Sequence, residues 1–495
     1  MERMQTQQHT ISEDTLLETV KGLVTEIHPQ YADNGRIGLD STFERDLGLD
    51  SLSRVELISR IETVYGVALP DRIFAEAQTP RDLLRVLKRL KPEASAPAGA
   101  HITDAERPAT AELPEDVQTL VELLRWHAEH HGDRTHIQLY EDEGNGKTIT
   151  YSELAAGAQR VAAALQEHGL GSAEPVVIML PTGADYFYIF FGILMAGGIP
   201  VPIYPPARPS QLEEHMKRHS RILENCRARI LVTVEEGKRA GQILMSLTEG
   251  LEHILTASQL RESTAKAMLP TLKKDDIAFL QYTSGSTGNP KGVILTHANL
   301  LANIRAMGNA VNASSEDVFV SWLPLYHDMG LIGSWLGSLY YAALFVVMSP
   351  LHFLAKPERW LRAIERHGGT LSASPNFGYE YTLHRLKNVD LGSLDLSSWR
   401  AAFNGAEAVN PKTLEQFTSH FAQYGFDKSS MTPVYGLAES SVGLAFPPMR
   451  RGSKVDSIER DLFIKEQKAK PAQSDSEHLL HFVSSGLPLP GHQIR

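Results

Sequence analysis

Residues 281–292 read QYTSGSTGNPKG, and how this stretch is read decides the fold. Thr283, Ser284, Ser286 and Thr287 bring small hydroxyls, and Gly285, Gly288 and Gly292 lie among them, all leading to Lys291. Gly, Ser, Asn and Pro also make ordinary surface turns. Here, however, the loop follows the apolar run IAFLQY (277–282) and precedes GVILTH (292–297). A strand, a glycine-rich loop and a lysine together supply backbone N–H groups and a positive charge for a phosphate. The spacing G-x-x-x-x-G-K-[ST] of the P-loop cannot be aligned, so the stretch predicts a phosphate loop of another kind.

Outward from this loop, from about residue 117, runs such as EPVVIML, ARILVTV and DIAFLQYT alternate with helical segments such as YSELAAGAQRVAAALQEHG. That alternation predicts an α/β domain with mostly buried strands over 117–495. Residues 1–90 show only helical periodicity. In SLSRVELISRIETVYG, Leu52, Val55, Ile58, Ile61 and Val64 recur every third residue, which predicts a small all-α bundle. Between them, residues 91–116 are rich in Ala and Pro and read as a semi-extended linker. One uncharged stretch, YFYIFFGILMAGGIPVPIYPPA (186–207), is long enough to span a bilayer, but its glycines and prolines break the second half. It predicts a buried helix ending near Ala196, then a short strand.

Composition excludes several classes. Of the 495 residues 42% are hydrophobic and 22% charged, so neither disorder nor a fibre is implied. A formal charge of −11 leaves no basic footprint for nucleic acid. The single cysteine, Cys226, rules out an internal disulfide and suits a reducing compartment. The N-terminus lacks the apolar core of a signal peptide, and the expectation is a soluble cytoplasmic protein.

The sixteen residues YTSGSTGNPKGVILTH (282–297) resemble the phosphate loop of the acyl-adenylate-forming superfamily of acyl-CoA synthetases, adenylation domains and luciferases. The resemblance implies ATP as the anion, with Thr283, Ser284, Gly285, Ser286, Thr287, Gly288 and Lys291 around its phosphates. Three further segments follow in the family's order. SWLPLYHDMGLIG (321–333) resembles the segment lining the acyl pocket, which puts His327 near the reacting carboxylate. AAFNGAEAV (401–409) resembles the adenine turn, so Asn404, Gly405, Ala406 and Glu407 are expected at the base. PVYGLAES (433–440) resembles the motif whose tyrosine packs on adenine and whose glutamate binds magnesium. These are Tyr435 and Glu439, with Gly436, Leu437 and Ala438 between; many relatives have threonine where Ala438 stands. Lys291, His327 and Glu439 are the expected catalytic groups, and Glu439 the Mg²⁺ ligand, since a hard cation prefers oxygen.

Together with PERWLRAIERHGGTLSASPNFGYE (357–380), these segments are similar to a fatty acyl-AMP ligase, which loads a carrier protein rather than coenzyme A. The polar stretch 450–478 resembles the insertion of that branch; it reads as a charged, solvated loop whose LFI (462–464) is able to dock. Trp335–Tyr341 and Ser374–Tyr379 are candidates for the acyl pocket. At the N-terminus, TFERDLGLDSLSRVELISRIE (42–62) resembles an acyl carrier protein, which implies that the all-α unit is a four-helix bundle. That implies 4′-phosphopantetheine on Ser51 at a helix start, although Ser51 also suits a plain helix cap. Residues 1–90 carry 15 acidic and 11 basic side chains, a net charge of −4 suited to basic partners.

The implied activity is ATP-dependent conversion of a fatty acid to acyl-AMP, then transfer to a carrier thiol, the carrier being this one in cis or a separate protein. The expected partners are a phosphopantetheinyl transferase and a downstream polyketide or peptide synthase. The alternatives are a long-chain acyl-CoA synthetase, an amino-acid-loading module, or a non-catalytic carrier and docking protein. Relatives continue into a Thr-Gly-Asp motif and a small domain with a catalytic lysine, which the sequence to Arg495 does not contain. The expectation is therefore a large adenylation domain without the C-terminal one, and low turnover.

Overall fold

The computed structural model describes the chain from Ser12 to Ile494. The exceptions are residues 28–36, 44–45, 48, 50–56, 59, 62–63, 66, 68, 70–72, 74–76, 89–109, 142–145, 206–211, 284–289 and 473–477. The chain divides into two compact units, a smaller one made mainly of residues 1–98, with Leu351–Lys356 grouped in it, and a larger one spanning most of 99–495.

In the smaller unit the helix Glu13–Ile27 buries Leu16, Val20, Leu23 and Val24, one face at helical spacing. A second helix, Pro80–Leu87, starts at a Thr79–Asp82 capping box with proline at its first position, and buries Leu83, Leu84 and Leu87. On the expected apolar face, Ile58 and Ile61 are buried together with Leu57, and Val64 is half-buried. Leu52 and Val55 of that face, and Ser51 at its start, lie outside the described residues. The segment leading to Ser51 is anchored by buried Phe43, Leu47 and Leu49, and the Leu49 N–H donates to the Phe43 carbonyl at 2.7 Å.

The larger unit is α/β, as the alternation predicts. Its strands are β1 (Thr135–Leu139), β2 (Lys147–Thr150), β3 (Pro175–Ile178), β4 (Ile199–Pro202), β5 (Ile230–Thr233) and β6 (His253–Thr256). There follow β7 (Ile277–Thr283), β8 (Lys291–Thr296), β9 (Val318–Ser321), β10 (Leu344–Val347), β11 (Leu371–Pro375) and β12 (Ala401–Gly405). The last are β13 (Met431–Pro433), β14 (Tyr435–Leu437), β15 (Val442–Phe446), β16 (Val455–Glu459), β17 (Leu479–Val483) and β18 (Leu487–Pro488).

One sheet has seven strands in the order β13-β12-β11-β9-β10-β1-β2, parallel except for β2. A four-stranded parallel sheet, β4-β3-β5-β6, stands apart, and β7 and β8 form an antiparallel hairpin. In the large sheet β9 has β10 on one side and β11 on the other, so the winding reverses there. Crevices at such reversals, beyond the carboxyl ends of the strands, are where α/β sheets bind ligands.

Local signals set these joints. Strands β2, β6 and β8 each end in a threonine, Thr150, Thr256 or Thr296, that caps the next helix through a reciprocal capping box. The apolar stretch 186–207 forms most of the largely buried helix Ala184–Met195 and then β4. Pro200 and Pro202 are tolerated because β4 is the outer strand of its sheet. The end of the Ala/Pro-rich stretch is extended and stapled to the large unit: Ala111 N–H donates to Ser315 Oγ at 2.8 Å, and Tyr340 Oη to the Pro114 carbonyl at 3.2 Å.

Candidate active site

A cavity of about 700 Å³ opens at the carboxyl ends of the large sheet and is walled by β7–β8 and by β14–β15. At its mouth Thr283 pairs with Lys291 across the hairpin, and both line the cavity. Ser284, Gly285, Ser286, Thr287 and Gly288 lie between them, outside the described residues. His327 follows β9 at the mouth. Its ring is exposed, and Nδ1 donates to Asp328 Oδ1 at 2.7 Å, which holds the imidazole above its usual pKa. The next eight residues, Met329–Leu336, wind as a π-helix, a rare form frequently found at functional sites. Ser334 Oγ stabilises it by donating to the Met329 carbonyl at 3.0 Å.

The segment after β12 approaches the same mouth. Ala406 lines it with φ +67°, a left-handed conformation that costs a non-glycine residue roughly 1–2 kcal/mol. Glu407 pins this turn, its Oε1 accepting the Phe377 N–H at 2.6 Å. Asn404 is fully buried, and its Nδ2 donates to Asn376 Oδ1 at 3.4 Å while its own Oδ1 has no partner. Of the four residues expected at the base, Ala406 lines the cavity, whereas buried Asn404 and Gly405 and exposed Glu407 do not. Tyr435, Gly436, Leu437, Ala438 and Glu439 all line the cavity, Tyr435 and Glu439 with exposed side chains. Gly436 is required: a Cβ there would stand 1.7 Å from the Val442 carbonyl oxygen.

Inward the cavity becomes apolar. One wall is the helix His297–Val311, through Ile304, Met307, Gly308 and Val311; another is the sheet, through Phe319, Leu371, Ala373 and Phe403. Of the two expected pocket segments, Trp335–Tyr341 contributes Gly337, Ser338 and Tyr341. Trp335 instead belongs to the core, donating Nε1 to His136 Nε2 at 3.2 Å. Ser374–Tyr379 contributes nothing; Tyr379 packs on Trp360 and Phe417 and donates its hydroxyl to the Phe403 carbonyl at 2.8 Å.

Sequence reasoning missed Tyr204, Arg218 and His219, which also line the cavity. His219 is buried, with Nδ1 hydrogen-bonded to the His215 carbonyl at 2.7 Å, and desolvation holds it near pKa 4, neutral at physiological pH. The only signal was a pair of histidines four apart in HMKRH (215–219). The stretch read as a solvated loop is instead a hairpin. β16 and β17 pair antiparallel around the helix Arg460–Glu466, and Phe463 packs edge-on against Phe482 with ring centroids 5.8 Å apart. Cross-strand pairing satisfies the backbone that the charged composition left unassigned.

Comparison with known proteins agrees with this geometry. Residues 124–468 match the model of the AMP-binding enzymes, and residues 18–87 match that of the phosphopantetheine attachment site. The chain belongs to the AMP-binding enzyme family, with a phosphopantetheine attachment domain in front. It is 31% identical to the medium-chain-fatty-acid–[acyl-carrier-protein] ligase JamA of Moorena producens, over 77% of this chain and 65% of that protein. It is 34% identical to the ligase TtuA of the same description from Teredinibacter turnerae, over 67% and 57%. A solved fatty acyl-adenylate ligase, from work on the enzymes of E. coli and L. pneumophila, superposes with a TM-score of 0.73 at 32% identity, covering 77% of this chain and 68% of that one. The chain thus spans 65% and 57% of the lengths of these two curated relatives. Among the described residues no helix is long and apolar enough to cross a membrane.

Proposed function

We propose that this chain is the carrier and adenylation part of a fatty acyl-AMP ligase. It activates a fatty acid with ATP to acyl-AMP and passes the acyl group to 4′-phosphopantetheine on a carrier, working in the cytoplasm. The observation that supports this most is the continuity of one cavity, from a mouth holding Lys291, His327, Tyr435 and Glu439 into an apolar recess. A substrate with an anionic head and a long apolar tail fits such a space.

In the first step a carboxylate oxygen forms a bond to the α-phosphorus of ATP, and the bond to pyrophosphate breaks. Both reactants are anionic, so positive charge and hydrogen-bond donors at the mouth lower the barrier. Lys291 neutralises phosphate, with Thr283 paired to it across the hairpin, and Ser284, Ser286 and Thr287 are the further hydroxyl donors that the family's loop implies. Tyr435 covers the adenine and Ala406 brings backbone against its edge. His327, whose protonated form the Asp328 carboxylate favours, orients the carboxylate. Glu439 is the candidate Mg²⁺ ligand. It is exposed at the mouth, and among the described residues no three acidic, histidine or cysteine groups cluster as a metal cage. One carboxylate is nonetheless sufficient where substrate phosphates and water complete an octahedron, the usual way Mg²⁺ is held in phosphoryl-transfer sites. The ion supplies charge neutralisation at the phosphates.

In the second step the pantetheine thiol, after loss of its proton, attacks the acyl carbon and AMP leaves. Ser51 is the proposed pantetheine site, installed by a phosphopantetheinyl transferase, and a polyketide or peptide synthase is the proposed recipient of the acyl chain. Treatment with such a transferase is expected to add one pantetheine mass at Ser51, and Mg-ATP with fatty acid to give fatty-acid-dependent ATP–pyrophosphate exchange. Exchange driven by amino acids alone, or none with any acid, would sink the assignment.

A further inference from the structure

We infer that the apolar recess ends on a saturated ion pair, Asp317–Arg400, which sets a sharp upper limit on the length of the acyl chain. The inference takes the proposed function as its premise and deepens it by naming the substrate class: acyl chains of medium length that end in a methyl group.

The placement follows from topology. β9, β11 and β12 run parallel, and the mouth with its reactive groups lies at their carboxyl ends, at Trp322–His327 and Ala406. Asp317 lines the cavity one residue before β9, at the opposite end, next to Val311, Ala313 and Ala343. The recess therefore runs along β9, between the sheet and the helix His297–Val311. From Asp317 to Trp322 the strand advances about 16 Å. At carbon–carbon bonds of about 1.5 Å, an extended chain of roughly a dozen carbons fills that distance.

The chemistry of the floor sets the rest. Asp317 is buried, and its carboxylate accepts four hydrogen bonds. Arg400 Nε (2.8 Å) and Thr370 Oγ1 (2.7 Å) donate to Oδ1; Arg400 Nη2 (2.7 Å) and the Ser314 N–H (3.0 Å) donate to Oδ2. A carboxylate has about four acceptor positions, so none is left to reward a polar chain end. Arg400 also donates to the Val311 carbonyl at 2.7 Å and the Asn312 carbonyl at 3.3 Å, tying the turn below the recess to the sheet. A longer chain would have to break this network, because burying one charge without its partner is strongly unfavourable. The floor is a stop, not a binding subsite.

The test uses non-hydrolysable 5′-O-(N-acylsulfamoyl)adenosines, hexanoyl to octadecanoyl, titrated calorimetrically into the full chain. Each added methylene is expected to tighten binding about fourfold up to about dodecanoyl, after which two further carbons weaken it about tenfold or more through overpacking. An ω-hydroxydodecanoyl analogue is expected to bind more weakly than dodecanoyl, since the hydroxyl loses water and finds no free acceptor. In the variant Ala313→Leu, with its fold checked by thermal unfolding, the limit should shorten by about two to three carbons. If the variant does not fold, the wild-type series decides alone. Affinity that keeps rising or levels off through octadecanoyl, a gain from the ω-hydroxyl, or an unmoved limit in the folded variant each overturns the inference. Those results leave the proposed activity standing; failure of every analogue to bind removes both.

Discussion

At the residue scale, His327 carries the most testable charge. The Asp328 carboxylate accepts the Nδ1–H hydrogen bond, and this raises the imidazole pKa. The cation is thus favoured at low pH and is lost as pH rises through a value above the ordinary 6.5 of histidine. Fatty-acid affinity is expected to fall across that alkaline limb, and His327→Gln should flatten the profile. A charge-assisted hydrogen bond contributes about 1.5–3 kcal/mol, so the variant should also lose roughly ten- to hundredfold in affinity near pH 6.5. A pH profile of dodecanoate binding that is unchanged in the variant would remove His327 from the carboxylate site. Tyr435, half exposed at the mouth, is the matching test for the base. Tyr435→Ala should raise the Kd for ATP about tenfold, the usual effect of losing an aromatic stacked on a base, and leave the unfolding midpoint near its wild-type value. Both residues were legible from the motifs alone. That Asn404 and Glu407 stay out of the cavity lining was not, because a motif gives residues near one another in sequence but not which of them turn inward.

At the element scale, the wall of the recess depends on how the helix His297–Val311 is held against β15. Buried Asn303 donates from Nδ2 to the Gly443 carbonyl at 2.7 Å and accepts the Gly443 N–H at Oδ1 at 3.0 Å. A side chain thereby completes backbone pairing on the strand that follows Glu439. Asn303→Ala leaves a buried N–H and C=O unpaired, and the expected loss is about 2–5 kcal/mol, read as a lower denaturation midpoint. A loss below about half a kcal/mol would mean that water replaces the amide. Ser441 and Val442, at φ +57° and +87°, form the tight corner between Glu439 and β15. For the β-branched Val442 this is a true outlier, of the kind that clusters at active sites. None of this was visible in the sequence: Asn303 reads as a polar position on an exposed helix, and only the tertiary partner explains its burial.

At the scale of the whole molecule, acid sensitivity is built into the large unit. His127 and His136 are fully buried and stack on either side of Tyr151, each with ring centroids 4.7 Å away. Desolvation lowers His127 to about 4 and His136 to about 3. The native state therefore binds fewer protons than the unfolded chain below about pH 6.5, and stability present above that value is lost as pH falls toward about 4. For His127 alone this amounts to roughly 3 kcal/mol. Urea midpoints measured from pH 7 to pH 4 should fall steadily, and His127→Phe should make the slope shallower. The same slope in the variant would assign the acid sensitivity to other groups.

What the sequence by itself determined is the part carried by local chemistry. The capping threonines place helix starts, the apolar runs give buried strands, and the Ser–Thr–Gly–Lys loop with its three following segments identifies the family. Each of these is encoded within a short stretch, since backbone conformation and side-chain donors act over a few residues. Only the tertiary structure decided the rest: that Trp335 and Tyr379 build the core while Tyr341 and Ala373 line the recess, that the polar stretch after Arg450 folds as a hairpin, and that Asp317 and Arg400, 83 residues apart, meet at its floor. Those facts depend on which face of an element meets which partner, and on ion pairing across the sheet. Such contacts are fixed by packing between distant segments, and no local pattern records them.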